Sequence, residues 1–212
     1  EEARSVWIEA ARRCDLLCVV VRAFDAPDIY HPKGSVDPAR DRADLEAELL
    51  FADLDLVEKR LERLGKEKRA GLNPQQQAEE RALLKCRDRL GENKPLAGIE
   101  LAEQDHEALK SLGLLTLSPV IWIYNVDESG VQAAKETFAG QNELVVSCRI
   151  EEEIAAIEDR DERRQFLSDL GFQESGLDRL NAVIYDALGL ISFYTMGPDE
   201  VRAAMAAVGE HR

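Results

Sequence analysis

One loop in this sequence combines residue types that could do chemistry. The segment FDAPDIYHPKGSVDP follows an apolar run and contains His31, one of only three histidines in 212 residues. Its prolines and glycine exclude a regular helix or strand. The ordinary pKa of an imidazole lies close to cytosolic pH, so a histidine on such a loop could take part in catalysis. The residues alone favour a structural role, in which His31 caps the following hairpin or packs Tyr30 against a sheet.

Polar side chains follow two later apolar runs. Asn125 and Glu128 belong to NVDE after one run, and Ser147 begins SCRI after the next. The carboxyl ends of buried parallel strands are where open α/β sheets bind ligands. An Asn amide offers a donor and an acceptor to a purine edge, and a nearby carboxylate can accept from a base. Ordinary turn chemistry and a plain helix cap at Ser147 remain open as alternatives.

Three apolar runs predict the strands that would position these side chains. They are DLLCVVVRAF (15–24), PVIWIYNV (119–126) and ELVVSC (143–148), and each is nearly continuous in apolar residues. Continuous runs of this kind are typical of parallel strands that are buried on both faces by helices. Helical patterns lie before the first run and after the second and third, which predicts a doubly wound α/β sheet.

A different pattern lies between the first two runs. Ala43, Ala47, Leu50, Leu54, Val57, Leu61 and Leu64 recur at spacings of four and three, as in a heptad seam. A glycine-containing turn follows, and Asn73-Pro74 begins a second helix with an apolar face. We therefore predict an inserted antiparallel coiled-coil hairpin that satisfies its seam internally and presents polar faces outward. Its tip carries the basic residues Lys66, Lys68 and Arg69.

The C-terminal stretch predicts a strand over LISFYTMG and then a new helix that begins at Pro198-Asp199-Glu200.

The composition limits the partners. A formal net charge of −15, spread along the chain, argues against duplex DNA and anionic membranes. No run approaches the roughly 20 apolar residues of a membrane span, and the N-terminus lacks a signal-peptide pattern. These features predict a cytoplasmic protein.

Together the motifs closely resemble the YchF or Obg-like ATPase family. The carrying stretches are the strand ending in Arg22-Ala23-Phe24, the loop IYHPKGSVDP, the heptad helix, LLTLSPVIWIYNVDE and FLSDLGFQESGLDRLNAVIYDALGLISFYTMGPDEVRA. The resemblance includes NxxE in place of the Asn-Lys-x-Asp of GTPases. It implies a partial P-loop NTPase-like parallel sheet with an inserted hairpin, in a protein that binds ATP, or GTP, with Mg²⁺ and regulates translation at the ribosome.

The same resemblance assigns the site residues. Asn125 would contact the adenine, Glu128 would stand where GTPases read the guanine amino group, and Phe24 and Ser147 would flank the base. His31 would be the catalytic histidine that orients or activates the attacking water. The hairpin tip would contact the ribosome or another RNA-containing partner.

The chain departs from the family in several respects: it contains no Gly-x-x-x-x-Gly-Lys-Ser/Thr and no magnesium ligands of the family pattern, and its end EVRAAMAAVGEHR differs from the family's usual continuation. We therefore expect a truncated piece without metal-binding residues, inactive alone, whose activity belongs to the intact protein. Its predicted parts are 1–36 and 113–190 for the nucleotide-binding domain, 37–112 for the hairpin, and 191–212 for the start of a TGS-like domain. The alternative is a non-catalytic helical interaction module that has lost its phosphate site.

Overall fold

The computed structural model describes residues 2–196 and 201–207 of the chain. By its internal contacts the chain divides into a helical unit (1–17 and 39–119) and an α/β unit (18–38 and 120–212). The finer division into four parts stays a prediction. Among the residues described, no helix has the length and apolar character needed to cross a bilayer.

The helical unit contains four helices and two short 3₁₀ turns. They are α1 (Glu2–Ala11), α2 (Pro38–Glu67), a 3₁₀ turn (Lys68–Ala70), α3 (Pro74–Gly91), α4 (Glu103–Leu109) and a 3₁₀ turn (Lys110–Leu112). Asn73 caps α3, because its side chain accepts from the Gln76 N–H while Gln76 accepts from the Asn73 N–H. These reciprocal bonds satisfy donors that the start of a helix leaves unpaired. The predicted start of the second hairpin helix is therefore confirmed.

Helices α2 and α3 run antiparallel and share one apolar core. Arg60 of α2 pairs with Glu79, and Lys68 beyond the end of α2 pairs with Glu80 near the start of α3. The core buries the following residues: Val57, Leu64, Ala82, Leu83, Cys86, Leu90, Leu96, Leu109 and Leu114. Because Leu96, Leu109 and Leu114 lie outside both helices, the core is larger than a two-helix seam. The coiled-coil description of the insertion stays a prediction.

The seam of α2 differs from the prediction at its start. Ala43 and Ala47 are exposed, whereas Leu49 and Asp53 are buried on the inward face. Phe51 is 63% exposed, so the expectation of only polar faces outward is wrong. The heptad spacing could not reveal this, because α2 also contacts Arg12, just after α1, and the segment at Leu115 and Thr116.

The α/β unit is built on a three-stranded sheet in the order β1-β2-β3. The strands are β1 (Leu17–Ala23), β2 (Val120–Val126) and β3 (Glu143–Val146). β2 and β3 are parallel, with Trp122 opposite Glu143 and Asn125 opposite Val146. A 3₁₀ turn (Glu128–Gly130) leads into α5 (Val131–Thr137), and α6 (Cys148–Ala156), α7 (Arg160–Asp169) and α8 (Gly176–Leu188) follow β3. The predicted α/β class with a parallel sheet and a helical insertion is confirmed.

The three strands are not equally buried. Most of β2 is buried, in agreement with its continuous apolar run. In β1 only Val21 is buried, and Val20 on the opposite face is 63% exposed. The prediction that β1 is buried on both faces is therefore wrong for the described part of the chain. Described residues cover one face of β1, whereas the face that carries Val20 stays exposed.

The C-terminal part forms a separate two-stranded sheet. β4 (Leu190–Met196) pairs antiparallel with β5 (Val201–Ala207), with Leu190 opposite Ala207. The predicted helix over this stretch is wrong, and its expected first turn at Pro198-Asp199-Glu200 lies outside the described residues. Alanine is the best helix former, but intrinsic propensity is a weak preference, and a seven-residue ladder with β4 outweighs it here.

Candidate functional site

An open crevice lies at the carboxyl ends of the three strands, within the α/β unit. Its volume is about 660 Å³. Phe24 follows β1, Asn125 and Glu128 lie at and just beyond the end of β2, and Ser147 follows β3, and all four line the crevice. The structure thus brings together four of the five side chains that the sequence predicted for the site. The carboxyl edge of a parallel sheet is the usual ligand position in this fold class.

Asn125 connects two loops of the crevice. Its side-chain Oδ1 accepts a hydrogen bond of 3.0 Å from the backbone N–H of Cys148, at the start of α6. The acceptor half of the amide is therefore engaged within the protein, and the Nδ2–H₂ group is the half that can donate to a ligand. The sequence predicted the position of this residue but not its bond to the neighbouring loop.

Ser147 occupies the N-cap position of α6 without acting as a cap. Its side chain makes no hydrogen bond to the first turn of the helix. The residue is 4% exposed, and its Oγ is buried with no hydrogen-bond partner in the described part of the chain. A buried hydroxyl without a partner is costly, so this atom is available to a ligand or to water. The alternative of a plain helix cap at Ser147 is therefore wrong.

Glu128 is held by a residue that sequence reasoning missed. The Nε of Arg149 lies 2.9 Å from Oε1 of Glu128, and both residues line the crevice. Glu128 begins the 3₁₀ turn after β2, whereas Arg149 lies in the first turn of α6. The sequence did contain a signal for this residue. Arg149 is the only cation of the SCRI stretch, and it lies one residue beyond a predicted strand end.

Arg22 organises the loop that follows β1. Its guanidinium donates to the carbonyl oxygens of Phe24, Ala26 and Ile29 at 3.0–3.1 Å. The same group lies 4.9 Å from the centroid of the Phe24 ring. One side chain therefore holds three carbonyl groups of the loop and stacks on the aromatic residue of the crevice. The sequence contained Arg22, but only the structure shows what it holds.

His31 is the predicted site residue that does not line this crevice. It lines a neighbouring hollow with Tyr30 and Gly34, and the two spaces share Asp25 and Ala26 on their walls. The loop around His31 contains neither helix nor strand, as predicted. Tyr30 is 84% exposed, so the alternative in which His31 packs Tyr30 against the sheet is wrong.

Backbone contacts shape the His31 turn. The imidazole Nδ1 accepts from the backbone N–H of Lys33 at 3.2 Å, and the His31 carbonyl accepts from the Gly34 N–H at 2.9 Å. Gly34 has φ +74°, a conformation that favours glycine. A neutral imidazole held in this way carries its proton on Nε2.

One thiol at the edge of the crevice has a shifted pKa, and the described residues contain no cluster of metal ligands. Partial burial, and secondarily Glu151, raise the pKa of the Cys148 thiol at its edge. Within residues 2–196 and 201–207, no group of three or more His, Cys, Asp and Glu side chains is placed to hold a metal ion. The residues present therefore fit the base of a nucleotide better than they fit Mg²⁺.

The fold and the crevice define an α/β protein with a ligand site at the carboxyl edge of a parallel sheet. No family model matches the sequence. Individual relatives do match: the chain is 38% identical to "Ribosome-binding ATPase YchF" of Bacillus subtilis (strain 168), over 93% of this chain and 56% of that protein. It is 34% identical to the protein of the same name from Escherichia coli O157:H7, with the same two coverages.

A solved structure agrees with these relatives. The structure titled "Structure of the Schizosaccharomyces pombe YchF GTPase" superposes with a TM-score of 0.79 at 30% identity, covering 95% of this chain and 57% of that one. The chain is therefore homologous to the YchF proteins and has their fold. It spans slightly more than half the length of the relatives it matches.

Proposed function

We propose that this chain forms the base-binding half of a protein that binds and hydrolyses ATP. The observation that carries the proposal is the convergence of Phe24, Asn125, Glu128 and Ser147 on one crevice. The support from homology is that relatives matching over 93% of the chain are named ribosome-binding ATPases.

The donors and acceptors of the crevice suit the edge of a purine ring. Asn125 donates through Nδ2–H₂ while its Oδ1 is held by the Cys148 N–H. The Ser147 hydroxyl can donate or accept, and a hydrogen bond to a ligand would satisfy this buried group, which has no partner in the described part of the chain. The Arg22 guanidinium lies over the Phe24 ring, and this ring offers an apolar surface to a flat base. ATP is the proposed nucleotide, and GTP is the alternative one.

His31 is the proposed catalytic residue of the intact protein. Its Nδ1 accepts from the backbone N–H of Lys33, which orients the ring on the loop. An imidazole held in this way can orient the attacking water or contact a phosphate oxygen. Mg²⁺ would neutralise the charge of the phosphates when it is bound, but the described residues provide no ligand set for it, and we derive no step through the metal.

The proposed cellular partner is the ribosome, and the proposed location is the cytoplasm. The matched relatives are named for ribosome binding, which supports this partner for the intact protein. The hairpin tip stays the predicted contact. Lys66 and Lys68 are already paired with Glu62 and Glu80, and both lysines remain more than half exposed.

Substitution of Asn125 tests the base site. In the protein as its gene encodes it, Asn125→Ala should weaken ATP binding by about 1–3 kcal/mol, because both the base contact and the bond to Cys148 are lost. The measurement is the dissociation constant of ATP by isothermal titration calorimetry, with thermal unfolding recorded in parallel. Asn181→Ala is the matched control, since Asn181 is exposed on α8 outside the crevice.

The outcomes separate the candidate functions. Equal ATP affinity in the parent and Asn125→Ala would remove Asn125 from the site. A parent protein that binds neither ATP nor GTP would contradict the proposal and favour the non-catalytic interaction module. A loss of affinity with Asn181→Ala as large as that with Asn125→Ala would show a general effect of the substitution rather than a base contact.

A further inference from the structure

An ion pair between Glu128 and Arg149 lines the crevice that we assign to the base. Arg149 Nε lies 2.9 Å from Glu128 Oε1, and the two side chains are 77% and 48% exposed. They come from different elements, because Glu128 begins the turn after β2 and Arg149 lies in the first turn of α6. Neither the proposed base contacts nor the packing of the sheet requires this pair.

A carboxylate at this position would otherwise suit guanine. The Watson–Crick edge of guanine presents two adjacent donors, N1–H and N2–H₂, which match the two oxygens of one carboxylate. Adenine has an acceptor at N1 and no amino group at C2, so it gains nothing from a free carboxylate there. Arg149 already engages Oε1 of Glu128, so this carboxylate offers guanine a weaker bidentate contact, whereas adenine is unaffected.

We propose that Arg149 is a positioning residue that holds Glu128 away from the base and so disfavours guanine nucleotides. The proposal rests on the base site proposed above and assigns its selectivity to a residue of this chain. The positive guanidinium adds to the effect, because a cation paired with Glu128 repels the N–H donors that guanine would bring to that carboxylate. Selectivity then arises from a repulsive element as well as from contacts to adenine.

The effect of Arg149 on base selectivity depends on whether water fills the crevice around the ion pair. An exposed ion pair contributes little to the stability of the free protein. A bound base excludes water from the crevice, so the charged hydrogen bonds of the pair become stronger there. The loss of Arg149 should therefore change discrimination between bases by about tenfold, because 1.4 kcal/mol corresponds to a factor of ten.

The experiment compares ATP and GTP affinities in four variants of the gene-encoded protein. Arg149→Ala should raise GTP affinity relative to ATP by about tenfold, while Arg149→Lys, which keeps a cation beside Glu128, should preserve most of the parental ratio. The double variant Arg149→Ala with Glu128→Gln should lose the gain for GTP, because an amide replaces one acceptor oxygen with a donor. Arg164→Ala, which removes a paired arginine from α7, is the control and should leave the ratio unchanged.

The readout is the ratio of the two dissociation constants, which a merely structural role of Arg149 would not change. An unchanged ratio in Arg149→Ala, or equal weakening of both nucleotides, would overturn the inference. A gain for GTP that persists in the double variant would also overturn it, because Glu128 would then not be the acceptor. Failure of the parent to bind either nucleotide would instead contradict the base site itself.

Discussion

Asn125 and His31 each have an acceptor atom engaged by a backbone N–H. Oδ1 of Asn125 accepts from Cys148, and Nδ1 of His31 accepts from Lys33. Each bond fixes the orientation of a side chain that the sequence could assign only by type. At Asn125 the amide Nδ2–H₂ is the half of the side chain that this bond leaves to donate.

Replacement of His31 tests its catalytic role. In the intact protein, His31→Ala should lower the rate of ATP hydrolysis by roughly 10²-fold, a typical loss for a positioned proton-transfer or water-orienting group, with ATP affinity nearly unchanged. Single-turnover hydrolysis and equilibrium binding measure the two quantities separately.

His106→Ala is the matched control, since His106 is exposed on α4 in the helical unit and should not affect the rate. Hydrolysis at the parental rate in His31→Ala would assign the loop histidine a structural role. A joint loss of affinity and stability would lead to the same conclusion.

At the scale of elements, Asp53 joins three segments of the helical unit. It is fully buried on α2 and accepts from Arg12 at 2.8 Å, where α1 has just ended. It also accepts from the backbone N–H groups of Leu115 and Thr116 and from the Thr116 hydroxyl, at 2.7–3.0 Å. The segment that leads into β2 is thus tied to the middle of α2. Burial, and secondarily Asp53, raise the pKa of the neighbouring Cys86 thiol to about 11, so it stays protonated at pH 7.

Loss of this carboxylate should be strongly destabilising. Asp53→Ala leaves Arg12 with a buried, unpaired charge and orphans two backbone donors, so we expect a loss of about 3–5 kcal/mol in the free energy of unfolding. Urea unfolding followed by circular dichroism gives this quantity. Asp55→Ala on the same helix removes only an exposed pair with Lys59 and should cost less than about 1 kcal/mol. Similar losses in the two variants would show that Asp53 is not the tie between these segments.

At the scale of the whole molecule, charge governs which partners can approach. The net charge of −15 opposes non-specific contact with RNA, so a local cation is needed for such contact. Lys66, Lys68 and Arg69 lie where the chain turns from α2 to α3, and the first two form exposed ion pairs with Glu62 and Glu80. Exposed pairs of this kind are weak, so a phosphate can compete for the lysines.

Charge reversal at the tip tests the proposed ribosome contact. Lys66→Glu, Lys68→Glu and Arg69→Glu together should reduce co-sedimentation with ribosomes at least severalfold at low salt and leave ATP hydrolysis unchanged, because the tip is far along the chain from the crevice residues. Lys110→Glu, which reverses another exposed and paired lysine, is the control. Unchanged co-sedimentation of the triple variant would remove the tip from the contact.

Local patterns in the sequence determined much of this protein. Apolar runs predicted β2 and β3, the four-and-three spacing predicted α2, and Asn73-Pro74 predicted the start of α3, because each signal depends on periodicity or on capping within a few residues. Strand ends followed by Asn125 and Ser147 also predicted where a ligand site would lie, since parallel strands bring their carboxyl ends to one edge.

Only the tertiary structure decided the rest, because those features depend on neighbours distant in sequence. Pairing with β4 makes a strand of an alanine-rich stretch that local preference assigned to a helix. The buried Asp53 looked like any other acid of a charged helix until Arg12 and the segment before β2 came beside it. Arg149 pairs with Glu128 only because the fold brings it beside a residue 21 positions earlier in the sequence. Long-range contacts of this kind carry no local periodicity, which is why the sequence placed the site but not the bonds that shape it.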